Sequence, residues 1–403
     1  MDRALYGPDG FFVSGAGPAA HFRTSVHASP VFSSCLLRLL LNLDHALGHP
    51  PRLDVVDVGA GQGELLRALL VGVSGEPARS GRSGLIPPRA GSPETLPTTA
   101  AVPPSPPEPD SAVRPSPATP VPLADRVRLT AVERAPRPPD LPEGIHWTSE
   151  IPPGITGLLV ATEWLDNVPL DLAVWAGDGW RYLLVDPATG EESTGDPVSP
   201  EDADWLDRWW PARVSDVTSP ATAGFRAAQP AEGSSLTARS RLGRPEPPAG
   251  ARAEIGRTRD EAWAAAVEKV ERGCALGVDY GHLRDDRPVG GTLTGYRGGR
   301  QVTPVPDGSC DVTMHVAMDS VASAGERIAR CAYTLLSQRE ALRALGADGG
   351  RPPLSLASRD PAGYLRALAA ASTAAELTDP AGLGGHWWLL QPVGVALDPF
   401  MAR

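Results

Sequence analysis

The stretch "LDVVDVGAGQGELLRALL" at residues 53–70 decides the fold. It opens with a short apolar run rich in valine, which predicts a buried strand. Glycines follow at positions 59, 61 and 63, and the leucine spacing after them predicts a helix over 63–71. A strand that passes directly into a helix through glycines is typical of an α/β sheet whose ligand lies at that turn.

Strands and helices alternate along much of the remaining chain. Apolar runs predict strands at 126–133, 157–163, 274–281 and 386–394. A helix is predicted over 259–273, ending at Gly273. This order predicts an α/β fold with a doubly wound sheet. In such sheets ligands bind beyond the carboxyl ends of the strands. Four predicted strands carry acidic residues at or near that end: Asp57, Glu133, Glu163 and Asp279.

Composition sets off two stretches from the folded body. The chain has 403 residues, 41% of them hydrophobic, with 44 prolines and 43 glycines. Residues 72–122 and 218–250 are rich in proline, serine and glycine. Because such sequence buries too little apolar surface to offset its ordering entropy, we predict a disordered insertion at each.

Charge and the distribution of cysteines exclude several classes of protein. The net charge is −11, which argues against nucleic-acid binding because phosphates require a basic surface. The longest apolar stretch, "CLLRLLLNL" at 35–43, is too short to span a bilayer. The four cysteines form no C-x-x-C pair, so we expect reduced thiols and no metal site. With no signal-peptide pattern at the N-terminus, we expect a cytoplasmic protein.

The glycine turn indicates the kind of ligand. A dinucleotide site has the pattern G-x-G-x-x-G, and here Glu64 occupies the position of the third glycine. A carboxylate at a helix N-terminus disfavours the binding of phosphate. S-adenosylmethionine carries positive charges instead, and the carboxylate of Asp57 before the turn is also compatible with them. Glu133 ends the next strand and could accept hydrogen bonds from both ribose hydroxyls. The insertion at 72–122 explains its distance from the glycines along the chain.

Six blocks in the same order resemble the MidA-type methyltransferases, a family that includes a mitochondrial assembly factor for respiratory complex I. The blocks are "GFF…HFRTSVHASPVFS" (10–33), "VVDVGAGQGELL" (55–66), "VATEWLDNVPLDLAV" (160–174), "LGVDYGH" (276–282), "GTLTGYRGGRQV" (291–302) and "DVTMHVAM" (311–318). They extend over most of the chain outside the two predicted insertions.

The resemblance implies a Rossmann-like, seven-strand class I methyltransferase with an additional lid or substrate region, and S-adenosylmethionine as the cofactor. It divides the chain into an N-terminal flap over 1–50 and a methyltransferase domain over 51–403. For the mitochondrial member, the implied reaction is symmetric dimethylation of a protein arginine. The implied partner is a protein substrate, such as a respiratory-complex subunit.

Site residues carry over from the resemblance position by position. Gly59, Gly61 and Gly63 would approach the methionine part of the cofactor, and Glu133 would bind its ribose. Thr24 and Ser25 would shape the flap over the cofactor. Glu163 would be the acidic residue of the third block.

The chemistry of arginine methylation agrees with these residue types. Glu163 and Asp166 could hold a guanidinium, whose fork of donors suits carboxylates. Asp166 could equally cap the turn that follows the strand. His315 could be a general base or contact the substrate, or it could be a hydrogen-bonded structural residue. Tyr280 could line the pocket or belong to the core.

The sequence departs from the family at several positions, and these departures leave alternatives open. Thr162 stands where the family has asparagine, Val26 and His27 where it has proline and glutamate, and Gly299 where it has histidine. One alternative is methylation of a small molecule. Another is an assembly protein that binds the cofactor without turnover.

Overall fold

The structure is a computed structural model that describes residues 1–14, 30–75, 121–187, 189–211, 246–347 and 349–397. Thr24, Ser25 and most of both predicted insertions lie outside these ranges. Within them, no helix combines the length and the apolar character needed to cross a membrane.

The elements alternate much as the sequence predicts. The strands are β1 (Leu53–Val58), β2 (Val127–Val132), β3 (Ile145–Thr148), β4 (Ile155–Thr162), β5 (Asp171–Trp175), β6 (Trp180–Val185), β7 (Glu192–Pro197), β8 (Arg252–Ile255), β9 (Val270–Asp279), β10 (Gly281–His282), β11 (Thr294–Arg297), β12 (Arg300–Val302), β13 (Asp311–Thr313), β14 (Val316–Ala317), β15 (Thr334–Ser337) and β16 (Trp387–Val393). The helices are α1 (Asp2–Tyr6), α2 (Phe11–Ser14), α3 (Pro30–Ala46), α4 (Glu64–Ser74), α5 (Leu123–Arg126), α6 (Pro200–Trp209), α7 (Arg257–Glu268), α8 (Met318–Ala329), α9 (Gln338–Ala344), α10 (Leu354–Arg359) and α11 (Pro361–Leu377).

The central sheet has seven strands in the order β15-β16-β9-β4-β1-β2-β3. Strands β3, β2, β1, β4 and β9 pair in parallel, and β16 is antiparallel to both of its neighbours. This arrangement confirms the predicted Rossmann-like fold with seven strands. It also places the ends of β1, β2, β4 and β9, with the start of β16, along one edge of the sheet.

Helices cover the sheet on both faces, which explains why β1 is buried throughout. On one face, Val55 and Leu158 belong to a core cluster with the leucines of α3 and α4. On the other face, Val56 and Leu159 belong to a second cluster with residues of α7 and α8. Successive strand residues point to opposite faces of the sheet, so the consecutive apolar residues Val55 and Val56 pack against the two different helical layers.

Among the described residues, three smaller sheets stand outside the central one, and the smallest is the pair β10-β14. The first of the other two has four antiparallel strands in the order β7-β6-β5-β8 and packs on α6. Its strands are partly exposed, and the sequence analysis did not predict them, although β5 and β6 each contain a short apolar run at 172–175 and 182–185. The second has three strands in the order β12-β11-β13, and it packs against α1 and α2 through Leu5, Phe11 and Val312.

Two predicted boundaries differ from the structure. The helix predicted over 259–273 ends at Glu268, and Gly273 lies inside β9 rather than closing the helix. The glycine serves a close approach of two strands, because a Cβ there would overlap the carbonyl oxygen of Gly157 on β4. The predicted insertion at 72–122 also begins too early, since α4 continues to Ser74.

Candidate active site

The loop after β1 needs its glycines for conformational reasons. Gly59, Gly61 and Gly63 have φ angles of +73°, +56° and +78°, in the left-handed region that side chains disfavour. A Cβ on Gly59 would lie 3.2 Å from the Trp164 side chain, and one on Gly63 would lie 2.7 Å from that of Leu141. The loop is therefore a narrow turn in which backbone can come close to a ligand.

Glu133 lies against this loop, as the strand order predicts. Its Oε2 atom accepts a hydrogen bond from the Gly61 N–H at 3.0 Å. Its Oε1 atom accepts from the N–H groups of Arg134 at 2.7 Å and Ala135 at 3.2 Å. Three amide donors thus hold the carboxylate at the end of β2, beside the glycine turn.

Two further carboxyl groups flank the turn. Glu64 folds back to accept a hydrogen bond from the Gln62 N–H at 3.0 Å, so it places a carboxylate oxygen at the N-terminus of α4. Asp57 is buried, and burial, followed by the charges of Glu64 and Glu133, raises its pKa to about 8. These groups make the turn unfavourable for phosphate and suitable for a cationic ligand.

Glu163, directly after β4, has an unusual backbone conformation. Its φ angle is +52°, and few residues other than glycine adopt this region. Its N–H donates to the Val278 carbonyl at 2.7 Å, and its own carbonyl accepts from the Asn167 side chain at 3.0 Å. The strain of such a conformation persists only where surrounding contacts enforce it, and it is common at functional sites.

A single turn of 3₁₀ helix, Leu165–Asn167, follows Glu163. The N–H groups of Leu165 and Asp166 both donate to the Oδ2 atom of Asp279, at 3.0 and 3.1 Å. Asp279, at the end of β9, therefore caps this turn from the neighbouring strand. Burial raises the pKa of Asp279 well above its usual range, and the charges of Asp166 and Glu163 add to the effect.

Asp166 is buried, and both of its oxygens accept hydrogen bonds from the protein. Oδ2 accepts from the Tyr280 hydroxyl and from the Thr313 hydroxyl, the latter at 3.1 Å, while Oδ1 accepts from the Asn167 side chain at 2.8 Å. Burial raises the pKa of Asp166, although the hydrogen bond from Tyr280 opposes the shift. This carboxyl orients its neighbours, above all Tyr280.

His315 lies beside Tyr280, with their ring centroids 5.3 Å apart. Desolvation and the neighbouring His282 lower the pKa of His315, which favours the neutral imidazole at neutral pH. The ring centroid of His386, just before β16, lies 5.6 Å from that of Tyr280, and burial lowers the pKa of His386 to about 4. Two neutral imidazoles thus border the tyrosine at the sheet edge.

Arg259 on α7 joins the segments of the site, and sequence reasoning missed it. Its buried guanidinium donates to the backbone carbonyls of Asp166 at 2.6 Å, His315 at 2.9 Å, Met314 at 3.1 Å and Val168 at 3.2 Å. These bonds hold the turn after β4 against the segment that carries His315. No motif marks such a residue, because its partners are carbonyls of distant segments.

Two other residues at this edge were also missed. Tyr6 of α1 donates to the Asn167 carbonyl at 3.1 Å, and the Arg134 guanidinium lies over its ring at 4.9 Å. Thr313 contacts Asp166 and is two residues from His315 in a strand-like segment, so alternation along "DVTMH" could have identified it. The structure brings together Asp57, the glycine turn and Glu133, and it places Asp166 and His315 beside Tyr280, with Glu163 close enough for its charge to act on Asp279.

Residues 118–335, more than half of the chain, match the model of a family described as S-adenosyl-L-methionine-dependent methyltransferase. No curated protein matches the sequence.

Two solved structures from Burkholderia thailandensis, both of one superfamily, share the fold. One is a crystal structure bound to S-adenosyl-homocysteine, with 20% sequence identity and a TM-score of 0.66. The other is a native crystal structure of an uncharacterized protein, with 20% identity and a TM-score of 0.64. Each alignment covers 99% of this chain and 88% of the other.

The family match includes the segment that ends β2 and the segments that carry Glu163, Asp166, Tyr280 and His315. It agrees with the resemblance that the six sequence blocks indicate. The cofactor of the family is S-adenosyl-L-methionine. This chain belongs to the S-adenosyl-L-methionine-dependent methyltransferase family that includes the MidA-type proteins.

Proposed function

We propose that this protein transfers a methyl group from S-adenosyl-L-methionine to the side chain of a protein arginine. The observation that carries the proposal is Glu163, a carboxylate residue held in a left-handed conformation just before the turn that carries Asp166. The buried guanidinium of Arg259 at this edge is already bonded to backbone carbonyls. The edge is thus rich in carboxyl groups, which suits a positively charged acceptor.

The residues around the glycine turn fit the cofactor. Gly59, Gly61 and Gly63 would face its methionine part, where backbone must come close to the ligand. Glu133, already aligned by three amide donors, would accept hydrogen bonds from the ribose hydroxyls. Asp57 lies beneath the turn. When bound, the cofactor supplies a methyl group on a positively charged sulfur.

Glu163 would bind the acceptor guanidinium, and Asp166 would act as a positioning residue. A guanidinium pairs with a carboxylate through two parallel hydrogen bonds, which fixes the orientation of the nitrogen to be methylated. Asp166 has its oxygens bonded to Tyr280, Thr313 and Asn167, so its role is to align the pocket wall. Neutral His315 can take the proton that the nitrogen releases as its new bond to carbon forms.

The test is methyl transfer from labelled cofactor in a lysate of the host organism, followed by acid hydrolysis and amino-acid analysis. We expect label in methylarginine, and Glu163→Gln should reduce its formation at least 100-fold while S-adenosyl-homocysteine binds as before. Label in a small molecule would favour the alternative acceptor class. The absence of any transfer would favour an assembly protein that binds the cofactor without turnover.

A further inference from the structure

Asp311, the first residue of β13, has an unsatisfied carboxylate oxygen. The residue is 2% exposed. Its Oδ1 atom is buried and receives no hydrogen bond from the part of the chain that the structure describes. A buried carboxyl oxygen without a partner is costly, and native proteins retain few of them. The group therefore requires either a proton or a ligand.

Strand geometry places Asp311 at the site. Asp311 and Thr313 lie on the same face of β13, because alternate strand residues share a face, while Val312 packs against α1 and α2 on the opposite face. Thr313 bonds Asp166 from that shared face. Burial and the charge of Asp166 raise the pKa of Asp311 to about 7, which shows that the two carboxyl groups are close.

The surroundings of Asp311 lack a compensating cation. Among the described residues, the influences on its charge are burial, the Asp166 carboxylate and the backbone N–H of Val312. At the same sheet edge, the charge of Glu163 acts on Asp279. Because electrostatic attraction is strong where water is excluded, a cation at the unpartnered Oδ1 atom of Asp311 would be held strongly.

We propose that Asp311 binds the positive charge of the methyl acceptor and selects a cationic side chain over a neutral one of the same shape. This inference rests on the proposed function and names the group that determines its acceptor class. Asp311 is then a specificity residue on β13, on the strand face from which Thr313 bonds Asp166. Tyr6 lies close by, since the charges of Asp166 and Asp311 both act on its phenol.

The experiment measures binding of three blocked tripeptides to the full-length protein loaded with S-adenosyl-homocysteine. The peptides are N-acetylated and C-terminally amidated Gly-Arg-Gly, Gly-Lys-Gly and Gly-citrulline-Gly, so only the side chain is charged. We expect wild type to bind at least one cationic peptide more than tenfold more tightly than the citrulline peptide. Asp311→Asn should reduce that preference to within about twofold.

Asp260→Asn is the matched control. Asp260 is also a buried aspartate with an unpartnered Oδ1 atom. Its Oδ2 atom accepts hydrogen bonds from Trp205 and Ser320, which are not part of the proposed site. Its variant should retain the preference for the cationic peptide. Should Asp311→Asn fail to fold, as judged by Tm, Asp311→Ser provides the same test.

The outcomes separate this inference from the proposed function. Asp311-dependent binding of the lysine peptide alone would support the inference and contradict arginine as acceptor. An Asp311→Asn variant with undiminished preference, or with undiminished arginine methylation, would overturn the inference and leave the proposed function standing. The inference would also be overturned if Asp311→Asn bound S-adenosyl-L-methionine more weakly than wild type but bound S-adenosyl-homocysteine equally well. Asp311 would then interact with the sulfonium of the cofactor. If wild type prefers neither cationic peptide, both proposals fail.

Discussion

The N–H of Gly61 donates to the Oε2 atom of Glu133 across 3.0 Å, although 72 residues separate them in the chain. This bond joins the turn after β1 to the end of β2. It places a carboxylate that can accept from two hydroxyls next to backbone that can approach a ligand. The relationship is the structural basis for the proposed position of the cofactor.

Glu133→Gln should weaken cofactor binding. The amide keeps one acceptor oxygen, but its NH₂ group replaces the other oxygen and faces backbone N–H groups that now donate to the carboxylate. Because hydrogen bonds to a charged group contribute about 1.5–3 kcal/mol, we expect the Kd for S-adenosyl-homocysteine to rise at least tenfold by calorimetry. Glu143→Gln, an exposed position in the next loop, should leave the Kd unchanged. Equal Kd values for the two variants would remove Glu133 from the cofactor site.

Glu163→Gly should separate stability from activity. Glycine relieves the left-handed conformation, whose cost is about 1–2 kcal/mol, and loses part of that gain through greater freedom in the unfolded chain. We expect the free energy of unfolding in urea to rise by up to about 1 kcal/mol, while methyl transfer is lost.

Arg330→Gly is the matched control for that variant. Arg330 also has a φ angle of +52°, at the end of α8, and it is exposed. It should gain similar stability and keep full activity. A Glu163→Gly protein that is less stable than wild type would show that contacts of the side chain outweigh the backbone strain.

Asp57 should make stability depend on pH. Its pKa is about 8 in the folded protein, above the usual value for aspartate, so the folded state holds this proton more tightly than the unfolded chain. The stability that this proton contributes is therefore fully present below about pH 4. It decreases as the pH rises toward about 8, by up to about 1.4 kcal/mol per pH unit. Urea denaturation from pH 5 to 8 should show a shallower decline for Asp57→Asn. If the free energy of unfolding declined with pH equally in Asp57→Asn and wild type, the raised pKa of Asp57 would be contradicted.

The sequence predicts the part of the site that depends on strand ends. Parallel strands finish at one edge of a sheet, so acidic residues at the strand ends were expected to lie there; Asp57 lies near Glu133, and Glu163 lies near Asp279. The glycine spacing similarly predicts a turn with positive φ angles. These features depend on local pattern and strand order, which a single sequence contains.

Other features depend on packing between distant segments and carry no local pattern. Arg259 is identified only by the four carbonyls that surround its guanidinium. Gly273 looks like a helix end in the sequence, whereas its purpose is the close approach of β9 to Gly157. The strands of the four-stranded sheet are partly exposed, and the short apolar runs of β5 and β6 do not by themselves identify them as members of a sheet.

The central claim, that the cofactor lies on the turn between β1 and α4, is tested most directly by calorimetric titration of Gly61→Val with S-adenosyl-homocysteine. Valine disfavours the φ angle of +56° and would place its side chain beside Glu64. Gly298→Val is the control, because Gly298 has the same φ angle and open space around it. We predict at least a tenfold loss of affinity for Gly61→Val and none for Gly298→Val. Wild-type affinity in a folded Gly61→Val protein would contradict the account.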